Sequence, residues 1–164
     1  MSGLHTTLAI VRRELGSYFG SPIAYVFLVI FLILVPGFAF AIGGYYENGQ
    51  ADLRGYQFFG WFPWFYLILI PAVAMRLWAE ERRSGTIELL LTLPVTLCQA
   101  ILGKFIAAWI FLTIALVLTF PVVVTTYYLG RPDLGVILGG YLGCFLLAGA
   151  CLAVGMLTSA MTRN

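Results

Sequence analysis

Four long stretches of the chain are apolar at nearly every position. They show neither the two-residue alternation of a half-buried strand nor the narrow stripe of a surface helix. They cover residues 23–44, 58–75, 101–129 and 136–158. A helix needs about 20 apolar residues to cross the roughly 30 Å hydrocarbon core of a bilayer. The pattern predicts four membrane-spanning helices over those ranges, within a single transmembrane domain of residues 1–164. No stretch alternates over the roughly ten residues that a barrel strand requires. The fold class expected is all-α integral membrane.

The first stretch needs a test against a secretory leader, because Ala39-Phe40-Ala41 resembles a cleavage site. Its apolar run is longer than the usual 7–15 residues, and it follows a leader that contains Glu14. It reads as a retained helix.

Two segments are helical in pattern but too short or too polar to span. Over residues 7–19, Leu8, Val11, Leu15, Tyr18 and Phe19 fall near one helix face, and Arg12, Arg13 and Glu14 populate another. This predicts an interfacial helix on the cytoplasmic surface of the bilayer, in contact with membrane lipid; the plainer alternative is a charged topogenic flank. Ser21-Pro22 supplies an N-cap and an N1 proline for the first span. Residues 76–96 form the second segment, with Glu80, Glu81, Arg82 and Arg83 in one cluster. Ser84-Gly85 breaks the pattern. Thr86 then caps a short helix bearing Glu88 and Leu90, which stops at Pro94. Thr96 and Gln99 fit a capping box opening the next span. Acids and bases beside an apolar helix suit a docking surface for a cytoplasmic protein, whereas a topogenic loop needs only positive charge.

Composition narrows the class. Of 164 residues 62% are hydrophobic and 10% charged, against roughly 45–50% and about 25% in soluble domains. A soluble fold of this size has nowhere to bury so much apolar surface. Disorder requires the opposite composition. A net charge of +2 without a basic block argues against nucleic acid as a partner. Arg12, Arg13, Arg76, Arg82, Arg83, Lys104 and Arg163 lie on one side of the predicted spans, Arg54 and Arg131 on the other. That imbalance places the N-terminus in the cytoplasm. Tyr45, Tyr46, Tyr56, Trp61, Trp64, Tyr127 and Tyr128 then gather at the outer interface. Lys104, near the start of the third span, is expected to snorkel toward headgroups.

Gly135, Gly139 and Gly143 recur every four residues in the last span, and Gly149 and Ala153 repeat the spacing. This small-residue spacing serves close helix packing, within the chain or at a dimer seam. The three cysteines, Cys98, Cys144 and Cys151, form no CxxC pair and imply neither a disulfide framework nor a metal site. There is no Walker A motif, since the only lysine is followed by Phe105. The only histidine, His5, lies outside every span. No catalytic residues are assigned, the chain is not expected to be an enzyme, and no cofactor is expected in it.

Three stretches carry a family resemblance: Arg12 to Phe27 (RRELGSYFGSPIAYVF), Pro71 to Pro94 (PAVAMRLWAEERRSGTIELLLTLP) and Leu102 to Phe105 (LGKF). Together they resemble the ABC-2 type transporter permeases, most closely the branch associated with gliding motility and nitrous-oxide-reductase maturation. The resemblance implies a multi-pass subunit of a bacterial cytoplasmic (inner) membrane exporter. It implies a cytoplasmic ABC ATPase partner that binds ATP and Mg, and a second permease copy or paralogue in a dimer. It assigns ATPase coupling to Glu80, Glu81, Arg82, Arg83, Thr86, Glu88 and Leu90 in a cytoplasmic coupling helix, with Arg12, Arg13 and Glu14 on the interfacial helix. The family usually has six spans, so the four seen here are expected to be a fragment of a six-helix permease. The alternative function is a non-transporting membrane anchor that recruits a cytoplasmic complex.

Overall fold

The computed structural model describes residues 3–42, 53, 58–84 and 96–161. All regular structure among the described residues is helical. Helix α1 covers Gly3–Phe19 and α2 covers Pro22–Ala41. At their junction Ser21 accepts a hydrogen bond from the Ile23 amide at 3.3 Å, and Pro22 occupies the first turn. Proline is cheap there because that amide has no intrahelical partner anyway. A single 3₁₀ turn, Phe59–Trp61, leads into α3, Phe62–Ser84. Helix α4, Leu97–Val117, opens with the Gln99 side chain reaching back to accept from the Thr96 amide at 3.2 Å. Helices α5, Phe120–Leu129, and α6, Leu134–Met161, follow.

Three helical stretches among the described residues are long and apolar enough to cross a membrane: Pro22–Ala41, Cys98–Leu129 and Leu134–Met161. The expected fourth differs: Phe59–Met75 is a shorter apolar helix. Its apolar run ends at charged residues, yet the helix itself continues unbroken to Ser84. Leu77, Ala79, Glu80, Glu81, Arg82 and Arg83 are all good helix formers, so nothing after Met75 stops it.

The third expected span is divided into α4 and α5 at Leu118 and Thr119. Pro121, just beyond, has no amide to donate, so the regular ladder cannot continue through it. At the break both the Thr119 amide, at 3.1 Å, and the Thr119 hydroxyl, at 2.7 Å, donate to the Leu116 carbonyl.

This divided helix is the centre of the bundle. Half of its most apolar window is buried, against 28% for α2 and for α6. Helices α3 and α6 run in the same direction, with Phe59 against Gly140 at one end and Ala74 against Gly155 at the other. Helix α6 runs opposite to α4. Trp109 donates its indole N–H to the Phe145 carbonyl at 3.0 Å, and the Thr119 and Tyr141 hydroxyls share a hydrogen bond at 3.0 Å.

Helix α2 is held differently. Few of its backbone positions approach another helix closely. Rings fill the space: Phe27 meets Phe111 at 5.5 Å between centroids, Phe31 meets Tyr66 at 6.0 Å, and Phe38 meets Phe65 at 5.2 Å. Offset and edge-to-face ring pairs of this kind add about 0.5–1.5 kcal/mol each beyond their area.

The α3–α6 contact is the tightest test of this packing. A Cβ at Gly155 would lie 2.7 Å from the Ala74 Cβ. Gly155→Ala is expected to force the two helices apart and destabilise the chain by about 1–3 kcal/mol. Adding Ala74→Gly should recover most of the loss. Equilibrium unfolding in detergent reads both, and an unshifted midpoint in the single variant would contradict the close approach.

Candidate functional site

The helix directions gather the charged residues. Because α3 and α6 run together and α4 runs against them, the end of α3, the start of α4 and the end of α6 lie at one end of the bundle. The helical extension of α3 brings Glu80, Glu81, Arg82 and Arg83 to that end. Thr86, Glu88 and Leu90, the remaining expected coupling residues, lie outside the described residues. So do Tyr45, Tyr46 and Tyr56 of the expected outer belt.

Helix α1 joins the same end by packing on α4. A Cβ at Gly103 would lie 2.7 Å from Ile10 Cγ2 and 3.6 Å from the Thr7 carbonyl, so only glycine admits α1 this closely. Further along, Tyr18 stacks on Phe111 at 5.3 Å with an interplanar angle of 12°. The order of these contacts shows that α1 runs in the same direction as α4 and alongside it. The sequence pattern alone predicted a helix lying along the bilayer surface. The structure seats it on α4, burying Val11 and Tyr18.

Lys104 is placed differently from the snorkelling expectation. Its side chain is 3% exposed, and its Nζ lies 3.2 Å from Oε1 of Glu14, itself 12% exposed. Its ammonium turns inward to a carboxylate of the same chain. Arg13 Nη2 lies 3.0 Å from the same oxygen but is 65% exposed, so water screens that pair. Arg12 is exposed. Lys104 and Glu14 are a pair that no spacing rule could find, because ninety positions of chain separate them. The available signal was chemical: a lone lysine in an apolar run needs an acid.

The pair sits near the edge of the hydrocarbon. The Cys98–Leu129 span has 32 residues, about 48 Å at 1.5 Å per residue and well over the roughly 30 Å core. Tyr127 and Tyr128, both exposed, mark one interface. Counting about 20 residues back places the other boundary near residue 107, so Lys104 lies within about one helical turn of it.

Gly135, Gly139 and Gly143 occupy exposed positions on α6, and Gly139 and Gly143 have no atom within 4 Å of an added Cβ. Within the chain the close approaches fall instead at Gly140, Gly149 and Gly155. At Gly149 a Cβ would meet the Trp109 ring at 3.0 Å. Of the small residues selected by spacing, Gly149 meets the rest of the chain and Gly139 and Gly143 do not, because small residues recur on more than one side of α6.

Among the described residues no group of three or more His, Cys, Asp or Glu side chains is placed to hold a metal ion. Cys144 is buried, Cys151 half-buried and Cys98 exposed.

A family model described as "ABC-2 family transporter protein" matches residues 21–162. No curated protein and no solved structure matches the chain.

The seat of α1 on α4 has a direct test. Gly103→Val is expected to push Ile10 away and expose α1 to protease, by an order of magnitude in cleavage rate for about 1.4 kcal/mol of lost packing. Ile10→Ala in the same chain should restore protection. Equal cleavage of parent and Gly103→Val proteins would mean that α1 does not rest there.

Proposed function

Because the chain belongs to the ABC-2 transporter family, we propose that it is the transmembrane permease subunit of an ATP-driven exporter. Hydrolysis takes place in a separate cytoplasmic ATPase that binds ATP and Mg, and this chain converts it into translocation. The family match over residues 21–162 carries the reading. It is supported by the charged helical extension of α3 at the end of the bundle where α1 and α4 also meet. Within the family the chain resembles the branch associated with gliding motility and nitrous-oxide-reductase maturation.

In this reading the shorter apolar helix Phe59–Met75 also crosses the bilayer, giving four spans in one transmembrane domain. The charged end faces the cytoplasm of a bacterial inner membrane. Residues 76–96 form the coupling segment, and Glu80, Glu81, Arg82, Arg83, Thr86, Glu88 and Leu90 are its residues for meeting the ATPase. The exposed stripe of Gly135, Gly139 and Gly143 leaves α6 open to close approach by a second permease copy or paralogue.

Changing Glu81 and Arg83 together to alanine is expected to abolish co-purification of the ATPase with the full permease. If the ATPase still co-purifies and ATP-dependent transport in vesicles is unchanged, the coupling assignment is wrong. ATPase binding without ATP-dependent transport by the parent protein would favour a membrane anchor. Orientation is tested with Cys98, which is exposed, in a Cys144→Ser, Cys151→Ser background. A membrane-impermeant maleimide is expected to label it in inside-out vesicles and not in intact cells. The reverse pattern would invert the topology.

A further inference from the structure

Tyr66 carries a hydroxyl that the bundle leaves without a hydrogen bond. The residue is 1% exposed, and no protein group bonds its phenolic oxygen. It lies midway along the apolar helix Phe59–Met75. We propose that Tyr66, Tyr141 and Cys144 enclose a site for a single buried water, through which the hydroxyl donor of Tyr66 is joined to the oxygen of Tyr141. The site ties α3 and α6 to the break between α4 and α5. It is independent of the exporter reading above.

Packing puts the three side chains together. The register of α3 on α6, with Phe59 against Gly140 and Ala74 against Gly155, sets Tyr66 level with Leu147, between Cys144 and Cys151. Cys144, Cys151 and Tyr141 are accordingly its electrostatic neighbours. Cys144 is a neighbour of Tyr141 as well. The ring of Tyr66 is held in place: it stacks on Phe31 at 6.0 Å and meets Phe62 edge-on at 5.6 Å. A ring so held cannot swing its hydroxyl to a distant partner, and the hydrocarbon around the bundle offers none.

The placement of protons decides what fits between them. A threonine hydroxyl has one proton, and Thr119 gives its own to the Leu116 carbonyl at 2.7 Å. In the 3.0 Å contact between Thr119 and Tyr141, Tyr141 is therefore the donor. Its oxygen keeps lone pairs with which to accept. Tyr66 is thus a buried donor in need of an acceptor, beside an acceptor that it does not bond directly. One water answers both. It accepts from Tyr66, donates to Tyr141 and turns its second proton to the Cys144 sulfur, a weak acceptor. Three such bonds are typical of a buried water. The result is a continuous chain of hydrogen bonds from α3 through α6 to the carbonyl at the helix break.

Synchrotron radiolysis of the full chain in detergent tests this, because it turns a water into a hydroxyl radical where the water stands, and an adjacent ring gains oxygen. Tyr66 is expected to be oxidised several-fold faster than Phe62, which is 0% exposed and packs on the same ring. In Tyr141→Phe, which removes the acceptor, the oxidation of Tyr66 should fall to the level of Phe62. Equal oxidation of Tyr66 and Phe62 in the parent chain overturns the proposal, as does a Tyr66 signal that Tyr141→Phe leaves unchanged. Equilibrium unfolding gives a second readout. Tyr66→Phe is expected to raise the unfolding constant about tenfold, whereas removing a hydroxyl without any partner would leave the constant unchanged or lower it. Adding Tyr141→Phe to Tyr66→Phe should cost less than Tyr141→Phe alone costs the parent, because both changes break one network. Full additivity, or an unshifted midpoint in Tyr66→Phe, would contradict a shared water. If either variant fails to fold, the comparison of Tyr66 with Phe62 in the parent chain decides.

Discussion

Helices in lipid gain nothing from apolar contact that acyl chains would not also provide, so they adhere only where their surfaces approach closely or where polar groups meet. The bundle depends on that constraint. Its tight contacts each lie at a missing side chain: Gly155 against Ala74 for α3 and α6, Gly149 against Trp109 for α4 and α6, and Gly103 against Ile10 for α1 and α4. Closeness strengthens dispersion, which falls steeply over a gap of an ångström. At Trp109 a hydrogen bond to the Phe145 carbonyl is added to the same contact. The divided helix α4–α5 takes part in two of the three, which explains why it is the most enclosed.

Helix α2 obeys the complementary solution. With Phe27, Phe31 and Phe38 on its inner face, it cannot bring its backbone near another helix, so it stands off and interlocks through rings. The molecule thus contains two grades of joint. Glycine contacts hold helices at fixed distance, while ring contacts tolerate small displacements.

The scarcity of charge follows the same logic. In an environment where each ionised group is expensive, those retained are paired or placed outside the hydrocarbon. Glu14 and Lys104 take the first course, and the Glu80–Arg83 cluster, carried past the apolar part of α3 by an unbroken helix, takes the second.

The membrane class, the apolar helices, the Ser21-Pro22 and Thr96-Gln99 helix starts and the presence of a charged cluster after residue 75 were legible in the amino-acid sequence. Each depends on residues within one or two turns of each other, where hydropathy and capping act locally. Helix α3 outruns its apolar part because apolarity decides where lipid begins, whereas the backbone responds to propensity. The break at Thr119 was foreshadowed by Pro121. Tertiary structure alone decided that Lys104 turns inward to Glu14 and that α1 rests on α4. It alone decided that Gly140 and Gly155 join Gly149 in carrying the contacts within the chain, rather than Gly139 and Gly143. These outcomes depend on which helix faces come together. In a chain apolar on nearly every side, no stripe announces the inner face, so the choice falls to shape and to opposite charges distant in sequence.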